Sequence, residues 1–401
     1  MKKVSLIESN RNTPLQNRIR VLQLIRNNGD IFRGDIISKT GLSAPTVTRI
    51  VEELFEKKLI KQEDSGESSG GRPPQIIRFD SKNNYVIGID IGGSFIRAAF
   101  SNLDGEFIYE IHMPTDIKIG FDGIMEQVGE LIKKLLDRAS SKKERIFGIG
   151  IAVCGIMNKN SKVVDYSPVL NWKNVDVGKA LSKYTDLKIS VRNVANLIAQ
   201  GELFFGAGKK YDSFISINLD YGIGSGIIID GELFYGSGGY SGEIGHIVVD
   251  HKNSIKGREG IKGTLEALAS GYGIVEIIKD RIAGGEPSVL AKKLDSINSK
   301  KILEAAIQGD KLSIEILNNT TEYIGVSIDT LIKLFNPEAI LLSGGLSSNK
   351  EYFVDRIREK VSSLTLPILN SEVPILQSTF GEEAALMGAF SLMLESILKL
   401  E

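Results

Sequence analysis

Apolar residues recur at helical spacing in three short stretches at the start of the chain. Thr13-Pro14-Leu15-Gln16 supplies an N-cap, a first-turn proline and a capping-box glutamine, and Ile19, Leu22 and Ile25 follow before Asn28-Gly29 ends the run. Ile36 and Ile37 mark a short second helix that stops at Thr40-Gly41. Ser43 is placed to cap a third, with Pro45 near its start and Val47, Ile50, Val51, Leu54 and Phe55 as its buried stripe. Leu59-Ile60-Lys61-Gln62 and Gln75-Ile76-Ile77-Arg78-Phe79 then read as two strands around the polar loop 65–74.

Beyond residue 80 the pattern changes to strands and helices in alternation, which predicts an α/β body with mixed sheets. Tyr85 to Gly93 is a strand running into a glycine turn, and residues 96–100 lead on to Asp104-Gly105. The same order returns later: residues 214–219, the turn Asp220-Tyr221-Gly222-Ile223-Gly224, residues 226–229, then Asp230-Gly231. That echo predicts two related lobes, each opening with a β-meander, and glycine turns that let backbone N–H groups approach phosphate oxygens. Residues 339–346 read as a buried strand with a glycine turn, residues 380–389 as a closing helix rich in small residues, and helices are expected near 122–138, 264–280 and 311–334. The expected division is 1–80, 81–195 and 196–401, with the closing helix packing back on the first lobe.

Composition, 42% hydrophobic and 25% charged over 401 residues, is that of a globular protein with room for more than one core. No apolar run approaches the roughly 18 to 20 residues of a membrane span, and Met1-Lys2-Lys3-Val4-Ser5 lacks a secretory core; the expected location is the cytoplasm, away from any membrane. The single cysteine, Cys154, forms no internal disulfide and builds no thiolate metal site. Charge is uneven: residues 1–79 carry +5 and the remainder −6. A basic module on an acidic body points to a polyanion partner for the module alone.

The two helices around Gly41 form a helix-turn-helix whose second member reads a major groove with its N-terminal residues: Ser43, Ala44, Pro45, Thr46, Thr48 and Arg49. The two strands add a wing. Its loop ends Gly70-Gly71-Arg72-Pro73-Pro74, and Gly71, Arg72 and Pro73 are suited to a minor groove. Arg11, Arg18, Arg33, Lys39, Lys57 and Lys58 can supply phosphate contacts.

Gly88-Ile89-Asp90-Ile91-Gly92-Gly93, the Asn193 segment through Gly201-Glu202, Gly222-Ile223-Gly224, Gly242-Glu243-Ile244-Gly245-His246, Leu265-Glu266 and Leu342-Ser343-Gly344-Gly345 together resemble the ROK family of repressors and sugar kinases. The resemblance implies a winged helix-turn-helix followed by a two-lobed actin-like ATPase fold. With that head in front, the chain is similar to the xylose-repressor type: homodimers that bind a palindromic operator and answer to a monosaccharide or polyol. It assigns sugar contact to Asn193, Glu243, His246 and Glu266, whose amide, carboxylates and imidazole suit a ring of hydroxyls.

Three departures decide what is expected of the body. Family kinases carry an aspartate at position 194 that takes the proton from the sugar hydroxyl, and Val194 has no titratable group. Asp220-Tyr221 replaces a kinase Gly-Thr and adds a carboxylate and a bulky ring against ATP. Family zinc ligands are missing at Gly257, Glu259 and Thr264, leaving His246, with His251 and Glu259 as weak substitutes, so neither metal nor cofactor is expected. The expected function is a sugar-responsive repressor that is not an enzyme. The alternatives are a sugar kinase with a DNA-binding head, separated by an ADP-release assay, and a ligand-free docking protein, separated by silence across a sugar panel. Replacing Arg72 is expected to weaken operator binding and to lower the slope of log affinity against log salt by about 1; an unchanged slope counts against the wing.

Overall fold

The computed structural model describes residues 14–64, 75–139, 142, 145–158, 162–364, 366 and 373–400. The predicted cap Thr13, the phosphate contact Arg11 and the loop residues Gly71, Arg72 and Pro73 lie outside them.

The head holds α1 (Pro14–Asn28), β1 (Ile31–Phe32), α2 (Arg33–Thr40), α3 (Ala44–Glu56), β2 (Ile60–Asp64) and β3 (Gln75–Phe79). Gly41 takes φ 69° to end α2, a left-handed position that favours glycine, and turns the chain into α3. Strand β3 pairs antiparallel with both β2 and β1, so the wing sheet has a third, two-residue strand that hydrophobic periodicity did not reveal. Val47, Ile50, Val51 and Leu54 of α3 are buried, each removing apolar surface worth about 1.5–3 kcal/mol from water. Phe55 is not part of that stripe: it is 51% exposed, rotated off the core face by the 100° step from Leu54. Ser43 occupies the cap position of α3, yet its hydroxyl pairs with the Thr46 hydroxyl at 2.8 Å instead of with a backbone N–H.

The first half of the body contains β4 (Tyr85–Ile91), β5 (Phe95–Asn102), β6 (Phe107–Pro114), α4 (Gly120–Arg138), β7 (Ile146–Val153), β8 (Val163–Ser167), β9 (Trp172–Asp176), α5 (Val177–Leu181) and β10 (Ile189–Asn193). After α6 (Val194–Phe205) come β11 (Phe214–Leu219), β12 (Ile223–Ile229), β13 (Glu232–Leu233), α7 (Leu265–Ala269), α8 (Gly271–Ala283), α9 (Ser299–Ile307), α10 (Lys311–Phe335), β14 (Ala339–Ser343), α11 (Asp355–Leu364), β15 (Ile375–Gln377) and α12 (Ala384–Leu398). The two five-stranded sheets have orders β10-β7-β4-β5-β6 and β15-β14-β11-β12-β13, a strand-for-strand repeat of meander plus two parallel strands. The internal echo is therefore structural. The helical stretch expected over 264–280 is interrupted at Ser270, whose hydroxyl accepts from the Gly273 N–H and restarts the chain as α8. Among the described residues no helix is long and apolar enough to cross a membrane.

Helices α6 and α12 pack along one another between the sheets. The first sheet delivers β10 into α6, which lies on β12 and β11 of the second; the second delivers β15 towards α12, which lies on β7 and β4 of the first. At their crossing, a side-chain carbon on Gly201 would begin 2.9 Å from the Gly388 nitrogen, so only residues without a side chain fit there. The end of α6 is clamped by Glu202, which is fully buried: its carboxylate accepts from the backbone N–H groups of Ala207 at 2.8 Å and Thr379 at 2.7 Å and from the Ser378 hydroxyl at 2.6 Å. Replacing Glu202 with Ala strands those donors in the interior and is expected to destabilise the protein by about 3 kcal/mol, read as a lowered Tm. A change below about 1 kcal/mol would mean that water reaches the site.

Candidate ligand cleft and nucleic-acid interface

The paired sheets leave a cavity of about 500 Å³ between them, walled by the glycine turns after β4, β11 and β14 and by the first turns of α6 and α12. Asn193, Glu243, His246 and Glu266, far apart in the chain, all line it. Each is placed by local structure. Asn193 caps α6: its Oδ1 accepts from the N–H groups of Ala195 at 2.8 Å and Asn196 at 3.2 Å, and its Nδ2 donates to the Gly155 carbonyl at 2.8 Å. One amide hydrogen is left for the cavity. Glu266, in the first turn of α7, accepts from the Ile223 N–H at 3.2 Å and so steadies the glycine turn opposite. Glu243 and His246 flank a 3-10 turn and stand 3.8 Å apart, close enough for charge attraction and too far for a hydrogen bond.

Val194, Ala195 and Ile198 add an apolar strip of wall beside these polar groups, and no proton acceptor exists on the Val194 side chain. Five carboxylates line the cavity: Asp90, Asp220, Glu243, Glu266 and Glu382. Burial raises the Asp90 carboxyl to about 7, eased by Arg97 and aggravated by Asp220. Desolvation likewise raises Asp220 and Glu243; His246 opposes the effect at Glu243, and Glu266 adds to it. Carboxylates in these surroundings are acceptors for hydroxyl groups and poor company for a triphosphate.

The nucleotide end is altered in its detail. A side-chain carbon on Gly345 would begin 3.5 Å from Asp220 Oδ1, so the Asp220 carboxylate stands against the backbone turn that the fold would otherwise turn towards phosphate. Arg97, which could have met an anion there, donates to the backbone carbonyl of Glu382 and pairs with its carboxylate at 3.0 Å. The Asp220 carboxylate at this turn opposes a phosphate group. Zinc fares no better: among the described residues no group of three or more His, Cys, Asp or Glu side chains could hold a metal ion. Cys154, on the cavity wall, has its thiol pushed up to about 12 by burial and the neighbouring Asp90.

Sequence reasoning missed Arg97, Glu382, Lys300 and Arg258. The first three reach the cavity from β5, the turn before α12 and α9. Arg258 lies in the loop where zinc ligands were sought; its guanidinium sits 4.4 Å from the Tyr221 ring centre and 3.9 Å from that of Tyr272, wedging Tyr221 into the cleft wall. No motif marked it, because a cation stacked between rings has no sequence spacing.

On the head, Ser43, Ala44, Pro45 and Arg49 are exposed at the start of α3, with Thr46 and Thr48 half-buried beside them. Arg49 pairs with Glu53 at 2.9 Å, and Arg18 also pairs with Glu53. Arg18 is thereby tied to the helix bundle, away from the free surface assumed for it. Lys39 donates to Asn28 Oδ1 at 2.7 Å.

Comparison with known proteins covers both parts. Residues 15–61 match a winged helix-turn-helix DNA-binding family and residues 86–396 match the ROK family. The chain is 30% identical to the xylose repressor of Bacillus spizizenii over 385 residues, 95% of this chain and 96% of that one. The crystal structure of a ROK family transcriptional regulator, a homologue of the Escherichia coli MLC protein, superposes with a TM-score of 0.84 at 28% identity over 96% of this chain and 97% of that one. A ROK family glucokinase from Streptomyces griseus, solved with glucose and AMPPNP, superposes with a TM-score of 0.68 at 30% identity over 77% of this chain and 99% of that one, leaving the head without a counterpart. By the extent of these matches, the chain belongs to the ROK family and carries a winged helix-turn-helix ahead of its kinase-like body.

Proposed function

We propose that the protein is a cytoplasmic, homodimeric, sugar-responsive repressor that reads a palindromic operator with α3 and the wing and binds a monosaccharide or similar polyol between the two lobes of its body. The observation that carries this reading is a polyol-suited set of side chains, Asn193, Glu243, His246 and Glu266, on a cleft whose base position is Val194 and whose phosphate turn faces Asp220. Full-length relatives with the same head are repressors by name, which supports a signalling use for occupancy of the cleft. Such a ligand shifts the balance between DNA-bound and free protein only through its difference in affinity for the two states, typically about 1–3 kcal/mol.

The competing reading is a kinase with a DNA-binding head, favoured by the likeness of the body to a glucokinase. A coupled ADP-release assay across common hexoses and pentoses is expected to show no turnover; sustained sugar phosphate formation by the pure protein would overturn the role given to Val194. A thermal-shift panel of sugars and cyclitols is expected to yield at least one stabilising compound, by about 2.7 kcal/mol at 100 times its Kd. Glu243→Gln and Glu266→Gln are each expected to weaken that compound about tenfold or more by removing a charged acceptor to its hydroxyls. Silence across the panel, or full affinity in both variants, counts against sugar in this cleft.

A further inference from the structure

The two helices that enclose the back of the cavity also carry the head. Helix α6 begins at the cavity with Val194, Ala195 and Ile198 on its wall, and its last turn carries Phe204, over whose ring the Arg26 guanidinium of α1 sits with its carbon 5.4 Å from the ring centre. Helix α12 begins at the cavity with Ala384 and Ala385 and ends at Ile397 and Leu398, which share a continuous buried cluster with Leu22, Ile25, Ile36 and Ile50 of the head; α1 touches α12 directly. Both helices thus lead from cavity to head, over roughly 18 Å and 22 Å at 1.5 Å per residue.

Each helix is pinned to a different sheet. A side-chain carbon at Gly226 of β12 would begin 2.5 Å from Ala199 Cβ of α6, and one at Gly88 of β4 would begin 2.5 Å from the Phe390 ring of α12. Neither helix can be displaced from its sheet without steric release, so any change in the angle between the sheets slides α6 against α12. The sliding surface is small and hard: a side-chain carbon at Gly201 would begin 2.9 Å from Gly388 nitrogen, and one at Gly388 would collide with the Leu197 carbonyl. A polar tie, Gln200 Nε2 to Glu395 Oε2 at 3.0 Å, crosses the seam. At the opposite side of the cleft the lobes meet through the Tyr240 hydroxyl and Asp165 Oδ2 at 3.4 Å, a long exposed contact that resists motion little.

We infer that the α6–α12 pair is the lever that couples the cleft to the DNA-reading head: closure of the sheets on a ligand slides one helix past the other, and the head, seated on the far ends of both, tilts with the displacement. This rests on the sugar-responsive reading for the identity of the signal; the lever itself is a property of the packing. Interiors packed at this density switch between discrete arrangements and do not deform continuously, which suits a seam without side chains to interlock.

Hydrogen–deuterium exchange on the full chain tests it. Gly388→Ala presses the seam apart far from the head, and Gly201→Ala presses it from the other helix if the first variant does not fold. Gly129→Ala is the control: in α4 its added carbon would begin 2.5 Å from the Tyr184 ring, a close clash with a side chain remote from the seam. Without any ligand, the seam variants are expected to raise exchange in α1 by at least about twofold, and the control to leave it unchanged. Unchanged exchange in α1 of the seam variants, or the same rise in the control, overturns the lever. D-xylose and D-glucose serve as probes in a second arm. A sugar that slows exchange in the first turn of α6 is expected to alter α1 as well in the natural chain, and to leave α1 unaltered in Phe204→Leu; a response confined to α6 in the natural chain also overturns the lever. If neither sugar affects α6, the sugar assignment loses its support while the glycine variants decide the lever.

Discussion

The contact on which the architecture depends is the backbone-to-backbone crossing of α6 and α12 at Gly201 and Gly388. Each sheet sends its last strand into a helix that packs on the other sheet, so the lobes are joined by two exchanged helices and the cleft opens at their N-terminal turns. A larger residue at either glycine separates the helices, and with them the walls that hold Asn193 on one side and Ala384 on the other. Glu202 then fixes the seam lengthwise by satisfying the turn at Ser378 and Thr379 that precedes α12. Packing density and hydrogen-bond satisfaction therefore act on the same joint.

The cleft departs from the family's phosphoryl-transfer site at two points, Val194 and Asp220. Transfer from ATP calls for positive charge around the moving phosphate, whereas Asp220 adds a carboxylate at the phosphate turn; desolvation raises its pKa, as it does those of Asp90 and Glu243. Arg97, one of the cations on the cavity wall along with Lys300, pairs with Glu382. Such a lining accepts hydrogen bonds from hydroxyls at several angles, and Tyr221, wedged by Arg258, narrows the space a nucleotide would need. The absence of a base at Val194 and the repulsion at Asp220 act at separate points of the reaction, so neither change alone would restore turnover.

Much of this was legible in the chain before any coordinates. Gly41 and the stripe Val47, Ile50, Val51 and Leu54 announced the helix-turn-helix, since helix period and a left-handed cap are local properties. The repeated strand–glycine–strand order announced two like sheets. Local rules failed where side chains had competing partners. Ser43 turned to Thr46, the helix expected over 264–280 was recapped at Ser270, and Phe55 fell on the solvent side of a stripe that already had four members. The two-residue β1 was invisible because its support is a pairing with a distant strand, β3, through Ile31 with Ile77 and Phe32 with Ile76.

What the sequence determined alone was chemistry at named positions: a valine where a base belongs, an aspartate in a phosphate turn, glycine, glutamate and threonine where zinc would need sulfur, and a basic head on an acidic body. These are statements about side-chain identity, and no fold changes them. Tertiary structure alone decided which of those groups share a cavity, that Arg97 and Arg18 are already spent on Glu382 and Glu53, and that Arg258 props Tyr221. It also decided that the helices behind the cavity end beneath the head. Contacts of this kind join residues tens to hundreds of positions apart, and their energy comes from close packing and desolvation, which depend on what surrounds a residue and leave no period or spacing in the chain.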